Sequence, residues 1–166
     1  MFYEDFRIGQ SADLGEAAFS REAILAYGRL FDPRIVAEAA AGKAPLTASG
    51  LHVAAAGMRR LVEMLSSLRA AMAERGEVLP ELGVSPGFKA MRWAHPVHEA
   101  DIVSYSMETV SKRETSKPKW GLIGNHFRGV NQRGEEVLFF SSVVLVARRS
   151  DDPRPQSRAG EDFPNS

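Results

Sequence analysis

The chain has no cysteine among its 166 residues. That excludes disulfide staples, thiolate metal centres and a cysteine nucleophile, and it fits a reducing compartment. Charge of one sign is also missing, since 21 Lys+Arg balance 21 Asp+Glu. A nucleic-acid binder carries a basic surplus, so no nucleic-acid partner is expected. A local basic patch for a small phosphorylated ligand stays open. No apolar run approaches the ~20 residues that cross a bilayer. The opening MFYEDFRIGQ lacks the charged-then-apolar pattern of a secretory signal. The expectation is a cytoplasmic protein with no membrane partner.

What is present is ordinary for one soluble domain, with 44% hydrophobic and 25% charged residues. The length suffices for a core that needs no metal. We expect one domain over residues 1–149. From Ser150 the sequence turns polar and proline-rich (SDDPRPQSRAGEDFPNS). Such a tail, 150–166, cannot bury enough surface to offset its ordering entropy, so it is expected to be disordered and dispensable for folding.

Ser20 is placed to cap a helix running through Phe31, with Ile24, Tyr27 and Phe31 at helical spacing. Asp32-Pro33 ends it, because a proline disfavours helical geometry in the residue before it. Val36 to Ala41 is expected to form another short helical piece. The strongest periodicity runs from Gly50 to Arg75. Leu51, Ala54, Met58, Leu61, Leu65, Leu68 and Met72 recur every three or four residues. Ala54, Ala55, Ala56 and Gly57 make its first turns slim, which lets a sheet approach closely. Gly76 is a reasonable stop.

The second half alternates as strands do. Val103, Tyr105 and Met107 are interleaved with Ser104, Ser106 and Glu108. Trp120 to Val130 follows, then a turn at Asn131–Gly134, then Val137 to Ala147, apolar on both faces as in a central strand. Phe88–Trp93 and Ser11–Phe19 are further strands. The pattern is α+β: one long helix laid against an antiparallel sheet.

Five stretches, in order, resemble the MaoC-like acyl dehydratases, the enoyl-CoA hydratase type of the hotdog superfamily. They are FYEDFRIGQ, SREAILAYGRLFDP, TASGLHVAAAGMRRLV, MRWAHPVHEADIVSYSMETVSKRETS and NQRGEEVLFFSSVVLV. The resemblance implies a single hotdog domain, a curved antiparallel sheet wrapped around the long helix. It implies a homodimer or higher oligomer, and the family also forms hetero-assemblies with related hotdog subunits. No cofactor is implied. The substrate would be an acyl thioester on coenzyme A or an acyl carrier, and the reaction reversible hydration of a 2-enoyl thioester.

That reaction needs a base for the attacking water, an acid for C2, and stabilisation of the thioester oxygen as it gains charge. By the resemblance, Asp32 matches the family's Asp. The His expected in the pattern Asp-Pro-x-x-x-His falls on Ala37, which transfers no proton. The stretch from Asp32 to Ser49 is also shorter than the family's. Ser49, Gly50 and Leu51 lie where the family's helix-start donors hold the thioester oxygen. There, unpaired N–H groups favour negative charge, and Gly50 would admit a close carbonyl.

Each assignment has a plainer counterpart. Asp32 suits a local helix-ending hydrogen bond, and Ser49 a simple N-cap. His52, in the first turn, can replace the lost His or be a packed side chain. Arg59 and Arg60 suit a solvated helix face. His95, His98 and His126 show no metal-ligand spacing, so no metal is expected. Three functions stay open: a working hydratase, a non-catalytic binding subunit of a mixed assembly, and a hotdog thioesterase with Asp32 activating water.

Overall fold

The computed structural model describes residues 2–77 and 82–149. The tail 150–166, expected to be disordered, lies outside the described residues. A 3-10 turn at Tyr3–Asp5 precedes strand β1 (Ser11–Ala18). Helices α1 (Arg21–Phe31), α2 (Pro33–Ala40) and α3 (Gly50–Glu74) follow. Strands β2 (Phe88–Arg92), β3 (Ile102–Glu114), β4 (Trp120–Asn131) and β5 (Glu136–Ala147) complete the fold. The strands form one antiparallel sheet in the order β1-β3-β4-β5-β2.

Local chemistry sets the helix ends. The Ser20 hydroxyl accepts from the Ala23 N–H at 3.1 Å, which starts α1. The second helix begins at Pro33, three residues before the expected Val36. Proline is tolerated at the first helical position, where its missing N–H is not needed. So Asp32 closes α1 and opens α2 at once, instead of ending helical structure. The end of α3 has Gly76 at φ +70°. Glu77 N–H donates to Met72 O at 2.9 Å, and Gly76 N–H to Ala73 O at 3.0 Å. Those two bonds satisfy carbonyls that would otherwise be orphaned.

The core lies between α3 and one face of the sheet. Val53 and Ala54 of the helix join Val103, Tyr105, Phe127, Leu138 and Phe140 of the strands. A Cβ at Gly57 would sit 2.8 Å from the Tyr105 ring and 2.9 Å from Phe127, so only glycine allows this approach. The Tyr105 hydroxyl donates to Val53 O at 2.8 Å, which pins the first half of α3 to the sheet. The second half is seated differently: Leu61, Met64, Leu65 and Leu68 are only half-buried. At the far end Tyr3, Ile123 and Val146 form a separate small core.

Buried Asp101 supports the head of α3. It accepts from Arg133 Nη1 at 2.6 Å, Gln132 Nε2 at 2.8 Å and His98 N–H at 2.8 Å. These bonds, with Arg133 foremost, hold its carboxyl at about 2. The loop so fixed also receives the Ala48 N–H at Val97 O, 2.8 Å, immediately before α3.

Candidate functional site

The head of α3 presents three backbone donors. Val53 N–H bonds back to Ser49 O at 3.1 Å, the first turn of the helix. The N–H groups of Gly50, Leu51 and His52 precede it and meet no acceptor among the described residues. Ser49 holds the N-cap position, yet its side chain makes no capping bond. The simple N-cap expected of Ser49 is therefore absent, and the donors that it would have satisfied stay open to a ligand.

Beside them lies a cavity of about 350 Å³, lined by Gly50, Val53, Thr47, Trp93, His95 and Val137 among others. Gly50 is explained by a neighbour. The Trp93 indole N–H donates to Gly50 O at 2.8 Å, and a Cβ on Gly50 would lie 2.8 Å from the Trp93 ring. The space a missing side chain leaves is thus taken by tryptophan on that side, and is not free for a carbonyl. Leu51 projects outward, 60% exposed.

Asp32 stands at the α1–α2 corner. Both its oxygens accept from Arg34, from Nε and Nη2 at 2.9 Å each. That fork holds the carboxyl below its usual range, so Asp32 is ionised but a weak base. The local hydrogen bond expected as the plainer reading is present, supplied by Arg34 two residues on. Arg34 is 86% exposed, so it can swing away into solvent. Ala37 is exposed on α2.

His52 is packed. Its ring stacks on Tyr27 at 4.6 Å and 3°, and meets the Phe19 ring edge-on at 5.1 Å. Burial lowers its pKa, so it is neutral at pH 7. Its Nδ1 is buried without a partner among the described residues. Neither Asp32 nor His52 lines the cavity at Gly50. The expected residues are therefore grouped through α1, which carries Tyr27 against His52 and ends at Asp32, and not around one open cleft.

His95, which the sequence offers only as a histidine without metal-ligand spacing, does line that cavity. Its Nδ1 lies 3.0 Å from Glu136 O. A carbonyl only accepts, so Nδ1 carries a proton, and Nε2 is the acceptor in the neutral form of the ring. Its only signal in the sequence was its closeness to Trp93, two residues before it. His98 bonds Thr47 through Nδ1 at 3.2 Å, and His126 packs on Phe139. Arg59 and Arg60 both pair with Glu63; Arg59 lies on a solvated helix face as expected, whereas Arg60 is half-buried and its Nε has no partner among the described residues. Among the described residues no His, Asp or Glu group is placed to hold a metal. Among them, too, no helix is long and apolar enough to cross a membrane.

No family model matches the chain. It is 25% identical over 170 residues to a β-methylmalyl-CoA dehydratase of Chloroflexus aurantiacus, covering 99% of this chain and 45% of that protein. It is 28% identical over 78 residues to a mesaconyl-CoA hydratase of Cereibacter sphaeroides, covering 45% of this chain and 23% of that one. The chain thus spans less than half the length of the curated relatives it matches. The crystal structure of a MaoC-like dehydratase from Rhodospirillum rubrum shares 26% identity at a TM-score of 0.70, covering 90% of this chain and 99% of that one. A Mycobacterium tuberculosis protein with a double hotdog fold aligns at a TM-score of 0.65 and 18% identity, over 98% of this chain and 48% of that one. A chain of the ChsH1-ChsH2 complex of the same organism aligns at 0.54 and 15%, over 86% of this chain and 98% of that one. The fold is the hotdog fold, and the structural neighbours include MaoC-like dehydratases.

Proposed function

We propose that this MaoC-like hotdog chain binds an acyl thioester at the head of α3, in the manner of the hydratases and dehydratases of 2-enoyl thioesters. The observation that carries the reading is the set of open N–H groups at Gly50, Leu51 and His52 beside the Gly50 cavity. Donors so placed favour the oxygen of a thioester as it gains enolate charge. The names of the two curated relatives, a dehydratase and a hydratase of CoA esters, support the same reaction class.

In this reading Asp32 takes the proton of the attacking water once Arg34 has turned out. The second proton-transfer group is weakly provided. Ala37 offers none, and His52 keeps its Nδ1 buried against aromatic rings. A positioned acid–base group contributes about a hundred- to ten-thousand-fold in rate, so the isolated chain is a poor hydratase with its thioester site retained.

A second reading has its own support. Asp32 held by Arg34, with no partner base at Ala37, suits a binding subunit whose companion supplies the catalytic pair. Exposed apolar side chains such as Leu51, Val62 and Phe88 suit a homodimer or a mixed assembly. Sedimentation at micromolar concentration checks this, with a dimer expected and a lone monomer counting against it.

The deciding experiment is hydration of crotonyl-CoA and longer enoyl-CoAs by the wild type, Asp32→Asn, His52→Ala and His95→Gln. Weak turnover that Asp32→Asn removes is expected. Robust turnover untouched by Asp32→Asn overturns the assignment. Robust turnover lost only in His52→Ala or His95→Gln moves the acid–base role to that histidine.

A further inference from the structure

The cavity at the head of α3 holds a recognition element beyond the helix-start donors. Its volume of about 350 Å³ stands near the lower end of small-molecule sites, roughly 300–1,000 Å³, and suits a short acyl group. Among the described residues three polar side chains line it, Thr47, Trp93 and His95. Two of them are engaged within the protein. Thr47 Oγ1 pairs with His98 Nδ1 at 3.2 Å, and the Trp93 indole N–H donates to Gly50 O at 2.8 Å. His95 is tied through Nδ1, to Glu136 O at 3.0 Å. Its Nε2 makes no hydrogen bond among the described residues.

The place of that ring is fixed from both sides. Trp93, two residues before it, is bonded to Gly50 in the first turn of α3. Val97, two residues after it, is 2% exposed, and its carbonyl accepts from the Ala48 N–H at 2.8 Å, just before the same helix. The stretch from Trp93 to Val97 is thus pinned at both ends to the head of α3, and Pro96 stiffens it between them. The bond to Glu136 O orients the ring and sets its tautomer. With the Nδ1 proton committed to a carbonyl, Nε2 of the neutral ring can only accept. A ligand group that meets it must bring a donor.

In a 3-hydroxyacyl thioester the C3 hydroxyl is two carbons from the thioester carbonyl, and it is the donor on that acyl group. In the reading above, the carbonyl oxygen beside it lies on the open N–H groups of Gly50, Leu51 and His52. We infer that His95 is a specificity-determining residue of this site: its Nε2 accepts from the C3 hydroxyl of a short 3-hydroxyacyl thioester, so the chain holds the hydrated acyl group more tightly than the saturated one. The inference rests on the thioester reading and adds the residue that discriminates within it. His95 is exposed, so the bond forms in contact with water and has the ordinary worth of a neutral hydrogen bond.

The test is calorimetric titration of the full chain with butyryl-CoA and with each enantiomer of 3-hydroxybutyryl-CoA, in mildly alkaline buffer, which favours the neutral imidazole. One enantiomer is expected to bind roughly two- to tenfold tighter than butyryl-CoA, the worth of one hydrogen bond. In His95→Phe, which has no acceptor, that ratio should fall to about one. His95→Gln, whose amide oxygen accepts, should keep a higher ratio than His95→Phe, a rescue that a merely structural role would not give. Binding of butyryl-CoA with no preference for either hydroxylated ester overturns the inference and leaves the thioester reading standing. No binding of any of the three overturns both. A preference that survives in His95→Phe overturns the inference too, even where all three ligands weaken alike, which would set the ring against the pantetheine arm. So does a ratio in His95→Gln no higher than that in His95→Phe. If His95→Phe does not fold, His95→Ala takes its place in each comparison.

Discussion

The two halves of α3 belong to one unbroken helix and meet the sheet in opposite ways. The first half is slim. Val53, Ala54 and Gly57 are buried, and Gly57 brings the helix against Tyr105 and Phe127 with no room for a methyl group. The second half carries larger side chains, of which Leu61, Met64, Leu65 and Leu68 are only half-buried, and a cavity of about 380 Å³ separates these four from the strands. Small residues therefore make the tight contact and large ones the loose one. Close approach at one end fixes the helix against the sheet. The rings of Tyr105, Phe127 and Phe140 then act as a fulcrum, beyond which smaller polar residues leave space. The rigid end carries the open helix-start donors, and the loose end the polar row of Thr109, Asn125 and Ser142.

The sharpest way to break this contrast is Gly57→Val. Its side chain would overlap two buried rings that cannot withdraw, and overpacking costs ~1–3 kcal/mol. We expect about 3 kcal/mol of lost stability, read as a lower urea midpoint. A neutral result would mean that the first half is not tightly seated.

Next is the support beneath that end. Asp101→Asn should cost about 2 kcal/mol, inside the ~1.5–3 kcal/mol for hydrogen bonds to a charged group. The same carboxylate sets an acid limit. Its folded pKa, about 2, is depressed below the ordinary carboxylate value. The stability it contributes is therefore complete above that ordinary value and lost as pH falls through about 2. Acid unfolding followed by circular dichroism should show this loss in the wild type and not in Asp101→Asn.

Tyr105→Phe removes one buried hydrogen bond to Val53 O and should cost about 1 kcal/mol. The smallest effect belongs to the loose half. Leu65→Ala enlarges a space that already exists, so it should lose under about 1 kcal/mol, where a fully buried leucine loses ~2–5 kcal/mol. A loss as large as that at Gly57 would erase the contrast.

Much of this was legible in the residues. Alternation at Val103, Tyr105 and Met107 gave β3, and the stripe from Leu51 to Met72 gave α3, with Gly76 as its stop. Periodicity tells which side of a helix faces a sheet, but not how far away the sheet stands. The cavity under Leu61, Leu65 and Leu68 was therefore invisible, as was the row of Thr109, Asn125 and Ser142, which only strand register assembles. Pro33 both stops α1 and suits the first turn of α2, and the second role hides where that helix starts. Partners were the harder part at the site. Arg34 is two residues from Asp32 and its fork was within reach of sequence reasoning. Trp93 over Gly50 and Tyr27 against His52 join residues far apart in the chain, and nothing local announces them.

On the proposed function, the head of α3 is a thioester site that has outlasted its second catalytic group. Calorimetric titration with butyryl-CoA, which cannot be hydrated, tests it most directly when set beside coenzyme A alone. Saturable binding of butyryl-CoA, tighter than that of coenzyme A, is the predicted result. No binding, or affinity equal to that of coenzyme A alone, would contradict it.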